Sequence, residues 1–383
     1  MPQYPGFSKS IEAMRASVYS SLAGRLATRD GPVYPLHVGD TWLEPAEGCH
    51  MQDLATHDFP GLHRYTSPHG LPGLVQALAD RVASRTGTPT SPQNVLITAG
   101  GTGGLGAVVG ALLAPGDEVL IAAPYWPLIA GIVRSFHGVS VPVPLVGAVA
   151  SAVEAVEAFS SRATGRTVAV YLNTPNNPTG AVLPREWIEA VVAWATERGL
   201  WILSDEIYED YVYRGEHTYV RPLAPERTFS AFSFSKAYGM AGNRVGYVVG
   251  PADGIAHVLK VSTHTFYSAP TAGQVAALRV LGPQGDAWVR RARERYQELG
   301  DWAADRLGVP RPGGSTFLFL DVAERLDERG LDGFLEDLVD QGLLVAPGSS
   351  FGPYPTHIRV CFTCAEPDVV RAGVEILATA LGR

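Results

Sequence analysis

Between residues 94 and 250 the chain repeats one pattern: a short apolar run, a break at Gly, Pro or Asp, then a longer stretch with helical spacing. NVLITAG precedes GGLGAVVGALLAPGDE, VLIAAP precedes YWPLIAGIVRSFHG, and TVAVYLN precedes PREWIEAVVAWATERG. LWILSDE, TFSAFSFS and RVGYVVGP continue the rhythm. Runs that are apolar at nearly every position are strands covered on both faces, and the helical stretches between them supply the cover. The expected fold is α/β, a mostly parallel seven-stranded sheet with helices on both faces, forming a large domain over residues 46–285. The tail differs. Charged helical sequence (DAWVRRARERYQELGDWAADRLG) leads into FLFLDVAE, LDGFLEDLVDQG, LLVAPG and HIRVCFT, with a last helix from about Asp368. That is the pattern of a smaller α+β domain, expected to form from the N-terminal arm 1–45 together with 286–383. A chain of 383 residues suits such a division.

The composition narrows the partners. A formal charge of −8 disfavours nucleic acid. No stretch approaches 18 uninterrupted apolar residues, so no membrane-spanning helix is expected. The N-terminus lacks the basic start, apolar core and small-residue cleavage site of a secretory signal. Three cysteines, Cys49, Cys361 and Cys364, make a poor disulfide framework. The expected setting is cytoplasmic, with small-molecule partners.

Gly-Thr-Gly-Gly-Leu-Gly at 101–106 satisfies G-x-G-x-x-G after a strand and at the mouth of a helix, the context of a dinucleotide fingerprint. A nicotinamide site also needs an acidic residue at the end of the next strand, about 20 positions on. That strand ends in Ala122, Ala123 and Pro124, which cannot hold a ribose. Two readings stay open: a phosphate held by the loop backbone and the Thr102 hydroxyl, or glycines serving only a tight strand-to-helix turn.

Three further stretches complement that loop. NTPNNPTG (173–180) is turn chemistry between a strand and a helix. LWILSDEIY presents Asp205 and Glu206 where a parallel strand ends, with Tyr208 two places on. Open α/β sheets bind ligands there, although helix capping by Asp205 is the plainer alternative. SFSKAYGMAGNRVG carries Ser233, Ser235, Lys236 and Arg244. A phosphate suits Gly100, Gly101, Thr102, Ser233, Ser235 and Arg244. A basic ring nitrogen suits the Asp205 carboxylate, which keeps it protonated. A ring phenol suits Asn177 and Tyr208, and an aldehyde suits Lys236. These demands together describe pyridoxal phosphate, held by a Schiff-base lysine with a carboxylate at the pyridinium nitrogen.

On these motifs the chain resembles the class I/II aminotransferases of the pyridoxal-phosphate fold type I superfamily, from about residue 10 to the C-terminus. NNPTG, SDEIY and SFSK…NRVG match in order and spacing, so the resemblance gives Asn177, Asp205, Tyr208, Lys236 and Arg244 the roles above, with GGTGGL as the phosphate loop. PYWP puts Trp126 where an aromatic stacks on the cofactor; packing in the core is the alternative. GDTWLEPA resembles the N-terminal glycine segment and places Gly39 at the substrate, although Asp40 and Thr41 depart from the usual Gly-Glu-Pro. Asn243 stands where the family often has Trp. RYTSPHGLPGL resembles the segment whose tyrosine, here Tyr65, reaches the cofactor phosphate of the partner subunit, which implies a homodimer with shared active sites. PGSSFGPYPTHIRVCFT resembles the C-terminal signature, whose arginine, here Arg359, forks onto the substrate carboxylate. Within it CFTC is formally C-x-x-C; without a second ligand pair it is read as two core cysteines and no metal site.

The implied activity is transamination between an L-amino acid and a 2-keto acid, with Lys236 as anchor and base, Asp205 and Tyr208 assisting at the cofactor, and Gly39, Trp126, Asn177 and Arg359 at the substrate. Thr102, where relatives that take acidic substrates place a cation, points to a neutral or aromatic side chain. Tyr19, Trp42, His264, Phe266 and Tyr267 fall in segments that border the substrate pocket in the family. A lyase, cyclase or oxidase in a specialised biosynthetic pathway uses the same scaffold and is the alternative. A transcriptional regulator would need a DNA-binding domain ahead of the fold, and only about 45 residues precede the large domain.

Overall fold

The computed structural model describes residues 6–12, 14 and 22–383. Its strands are β1 (Tyr34–Pro35), β2 (Val95–Thr98), β3 (Glu118–Ala123), β4 (Val139–Pro144), β5 (Thr167–Asn173) and β6 (Trp201–Asp205). They continue with β7 (Thr228–Ser233), β8 (Gly246–Val249), β9 (Phe317–Asp321), β10 (Leu343–Leu344), β11 (Ala346–Pro347) and β12 (His357–Cys361). Seven of them make one sheet in the order β2-β8-β7-β6-β5-β3-β4. All run parallel except β8, which is antiparallel to both neighbours. The α/β sheet expected from the alternating pattern is therefore present.

Burial on both faces follows from the apolar runs. In β3, Val119 and Ile121 pack with Leu105, Ile129 and Val258, while Leu120 packs with Phe159, Ile188 and Ile202. Successive side chains of a strand point to opposite faces, so each face has its own apolar layer under helices. The edge strand β4, VSVPVP, is absent from the apolar runs that signal the other six. Proline cannot donate to a ladder, so Pro142 and Pro144 argue against a central strand; an edge tolerates them.

Strand direction builds the site. The parallel strands end on one side of the sheet, and reversed β8 begins there, with Gly246 opposite Thr98 of β2 and Ser233 of β7. Arg244, two residues before Gly246, thus emerges between the ends of β2 and β7.

The C-terminal elements form an antiparallel sheet in the order β11-β12-β9, and β1 pairs parallel with β10. Arg25 also donates to Asp340 at 2.7 Å, so the N-terminal arm lies on the C-terminal segment. Helix Pro283–Leu307 opens with proline in its first turn and closes on Gly308 in the left-handed region at φ +60°. Its Trp288, Ala292, Tyr296, Leu299 and Ala303 recur at helical spacing and join a core with Phe317, Leu320 and Val374. Among the described residues no helix is long and apolar enough to cross a membrane.

Candidate active site

A cavity of about 180 Å³ opens at the carboxyl ends of the parallel strands. One end is built for an anion. Helix Gly100–Leu112 starts there, with Thr102 in its first turn, and its N-terminus carries unpaired N–H groups and positive dipole. Gly100 has φ +71°, and a Cβ there would lie 2.6 Å from Nη2 of Arg244. The glycine therefore lets the guanidinium lie against the loop. Arg244 itself has φ +53°, uncommon for a residue with a side chain, and donates from Nη1 to the Ala241 carbonyl at 2.9 Å. Ser233 closes this end: it caps the short helix Phe234–Ala237 by accepting from the Ser235 amide at 3.0 Å. Gly101, Thr102, Ser233, Ser235 and Arg244 all line the cavity.

The wall opposite holds a buried carboxylate. Asp205, 2% exposed, accepts from the Tyr171 hydroxyl at 2.6 Å. Burial pushes its carboxyl up to about 6, against the pull of the Tyr171 hydroxyl and the Ile207 amide, and the neighbouring Glu206 charge adds to the rise. An anion held this way is poised for a cationic partner. Tyr171 sits in the fully apolar-looking run TVAVYLN; its hydroxyl meets Asp205 because β5 and β6 are in register, with Asn173 opposite Asp205. Ile207, Tyr208 and Trp126 also face the cavity.

Lys236 lines the cavity between these groups, and its Nζ donates to the Gly39 carbonyl. Burial lowers its pKa, with Asp40 opposing. The strap 36–41 that carries Gly39 is fixed from behind: the Asp40 carbonyl accepts from Thr363 Oγ1 at 2.6 Å, and the Leu36 carbonyl from the Cys361 amide at 2.9 Å. A Cβ on Gly39 would lie 2.8 Å from the Phe317 ring, so a glycine is needed at this approach.

Arg359 of β12 is fully buried at the other end. Its guanidinium lies between the rings of Phe317 and Phe351, at 4.3 and 4.7 Å from their centroids. Nη1 donates to Asn177 Oδ1 at 3.0 Å, and Nη2 donates to the His37 carbonyl. The Asn177 loop is held by Asn176, whose Oδ1 accepts from the Thr179 hydroxyl at 2.7 Å, and by Gly180 at φ +72°, where a Cβ would lie 2.7 Å from the Phe317 carbonyl.

The fold thus gathers Gly39, Gly101, Thr102, Trp126, Asn177, Asp205, Tyr208, Ser233, Ser235, Lys236, Arg244 and Arg359 in one cavity, with Gly100 behind Arg244. Tyr65 is not among them: it is 88% exposed and packs edge-on against Tyr267. Trp42, His264, Phe266 and Tyr267 do not line it either; Phe266 lies against helix Gly100–Leu112 at Gly103, and Trp42 stands edge-on to Tyr296. Tyr19 lies outside the described residues. Asn243 donates to the Met51 sulfur at 3.8 Å, away from the cavity. Tyr171, His37 and Phe317 were not singled out from sequence. Cys361 is buried and Cys364 half-buried, both unpaired.

These residues fit pyridoxal phosphate. The anion end offers an arginine, two serines, a threonine and a helix N-terminus; a buried carboxylate, donors and an amine follow, and the glycine cradle leaves room.

Comparison with known proteins agrees. The family profile described as aminotransferase class I and II matches residues 43–377. The chain is 33% identical to the aspartate/prephenate aminotransferase of Thermus thermophilus over 99% of both chains. It is 34% identical to the arginine–pyruvate transaminase of Pseudomonas aeruginosa over 78% of both. The solved aspartate aminotransferase of Thermus thermophilus with maleate superposes with a TM-score of 0.88, 31% identity, and 98% and 100% coverage of this chain and that one.

Proposed function

The chain belongs to the class I and II aminotransferases and is a pyridoxal-phosphate-dependent enzyme moving an amino group between an amino acid and a 2-keto acid; within that frame we propose that Lys236 is its cofactor lysine and its proton carrier. When bound, pyridoxal phosphate supplies an aldehyde and an electron-withdrawing ring. Gly100, Gly101, Thr102, Ser233, Ser235 and Arg244 would hold its phosphate; Asp205 would keep the ring nitrogen protonated; Asn177 and Tyr208 would hydrogen-bond its phenol, and Trp126 would pack on the ring. Arg359, with Asn177 and the Gly39 backbone, grips the carboxylate of the amino acid. Lys236 Nζ, its pKa lowered by burial, takes the Cα proton once it leaves the Gly39 carbonyl. The observation that carries the assignment is the convergence of Lys236, Asp205, Arg244 and Arg359 on one cavity from three separate segments.

We further propose an aromatic or otherwise neutral substrate side chain. Among the described residues, the cations lining the cavity are Lys236, Arg244 and Arg359, each already assigned, and Thr102 adds none. The exposed Tyr65 supports a homodimer in which it reaches the partner's phosphate site. Residues 46–285 form the large domain, and 1–45 with 286–383 the small one, as the β1–β10 pairing supports. Unpaired cysteines suit a cytoplasmic, reducing setting. The substrate reading is tested by mixing the purified holoenzyme with a panel of amino acids, following its cofactor absorbance and identifying the keto acids formed. Phenylalanine or a neutral amino acid changing the spectrum faster than aspartate is the expected result; aspartate turning over fastest defeats it.

A further inference from the structure

The loop from Glu206 to His217 does more than deliver Tyr208 to the cavity. Its base is closed by a buried pair, His217 Nε2 and Glu206 Oε2 at 2.8 Å. Inside it Tyr211, fully buried, makes two connections. Its hydroxyl donates to the carbonyl of Lys236 at 2.7 Å and also reaches that of Ala237 at 3.1 Å. Its amide donates to the carbonyl of Tyr208 at 2.9 Å. One residue therefore holds the backbone of both groups that enter the cavity from this side. Tyr211 is itself fixed: its carbonyl accepts from the Ser315 amide at 2.8 Å, and its ring stands edge-on to Tyr296 at 5.3 Å.

We propose that Tyr211 is a positioning residue that sets where the Lys236 amine sits relative to the Tyr208 phenol. The inference rests on Lys236 being the cofactor lysine. Lys236 ends a long, flexible side chain, and Nζ donates to Gly39 at its tip. Without a fixed backbone the tip would search a volume far wider than proton transfer tolerates. The Tyr211 hydroxyl meets carbonyls where the four-residue helix Phe234–Ala237 ends; the Lys236 carbonyl also accepts from the Tyr238 amide and from that of Gly239 at 3.5 Å, and the Tyr211 hydroxyl ties that chain end to the 206–217 loop. Burial also holds its phenol well above the usual tyrosine range, so it stays a donor.

Tyr211→Phe keeps the ring and removes the donor. The control is Tyr213→Phe, in the same loop, whose hydroxyl donates to the Ser315 carbonyl at 2.6 Å and not to Lys236. Two readouts apply: kcat and KM of the holoenzyme, and the pH profile of Lys236 acetylation by acetic anhydride in cofactor-free protein, read by peptide mass spectrometry. Tyr211→Phe should lower kcat about tenfold, the loss of one hydrogen bond's worth of positioning, with KM for the amino acid within about twofold. It should also displace the acetylation profile, while Tyr213→Phe leaves both unchanged. Tyr296→Leu, which removes the ring that Tyr211 leans on, should displace the profile in the same direction. If Tyr211→Phe acetylates and turns over like wild type or like Tyr213→Phe, the inference is overturned. A wild-type protein that carries no cofactor on Lys236 would instead overturn the reading beneath it.

Discussion

Replacing Asp205 with asparagine should make the cofactor-free protein more stable and the enzyme worse. Burial lifts the carboxyl from 3.8 to about 6, so at pH 8 the empty site holds an anion that unfolding would hydrate. The difference converts, at 1.36 kcal/mol per pH unit, to about 3 kcal/mol against the fold. Because the folded value is raised, this carboxyl favours the native state most below 3.8, and the benefit is lost as pH rises through about 6. Asparagine keeps an acceptor for the Tyr171 hydroxyl and carries no charge. Thermal unfolding of cofactor-free protein at pH 8 should show the variant roughly 5 °C above wild type. At pH 5 the gain should fall by about half, because wild type is then largely protonated in the native state. The same variant should bind pyridoxal phosphate at least about tenfold more weakly, having lost the charge that pairs with the ring nitrogen. A variant no more stable than wild type at pH 8, or equally advantaged at both pH values, would refute the claim that this carboxylate is held against its burial.

Two other perturbations probe the substrate end. Arg359→Lys keeps the charge but loses the fork onto Asn177 and the His37 carbonyl and the packing between Phe317 and Phe351. It should lower kcat/KM by roughly 10–100-fold, mostly through KM for the amino acid, and an unchanged KM in steady-state assays would show that the carboxylate binds elsewhere. Thr102→Lys introduces the missing cation at the mouth of helix Gly100–Leu112. Competition assays should then show kcat/KM for aspartate rising at least about tenfold relative to phenylalanine; a constant ratio would show that this loop does not face the substrate side chain.

Much of the site is legible in the sequence because its residues sit at punctuation. Asp205 ends an apolar run, Lys236 follows one, and the glycines at 100 and 101 break strand from helix, so the alternation of strand and loop already places them on one side of the sheet. What escapes detection acts through the backbone or across strands. The carbonyls of His37 and Gly39 hold Arg359 and Lys236, and a carbonyl carries no residue-type signal. Tyr171 is concealed in a strand otherwise apolar, and its partner is known only from the β5–β6 register. Edge strand β4 is hidden by its prolines. Trp42, His264, Phe266 and Tyr267 fall in segments expected to border the substrate, yet none of the four lines the cavity: Trp42 packs on Tyr296, Phe266 near Gly103, and His264 and Tyr267 are exposed. Segment alignment locates a stretch of chain, whereas the direction of a side chain depends on local packing.

The chain contains three lysines, Lys9, Lys236 and Lys260. Lys9 and Lys260 are exposed, and Lys236 faces the cavity. Borohydride reduction of the purified holoenzyme followed by peptide mass spectrometry therefore tests the central claim most directly. The pyridoxyl group should appear on the peptide containing Lys236, and Lys236→Ala should abolish both the label and transamination. A label on Lys9 or Lys260, or full activity in Lys236→Ala, would contradict the account.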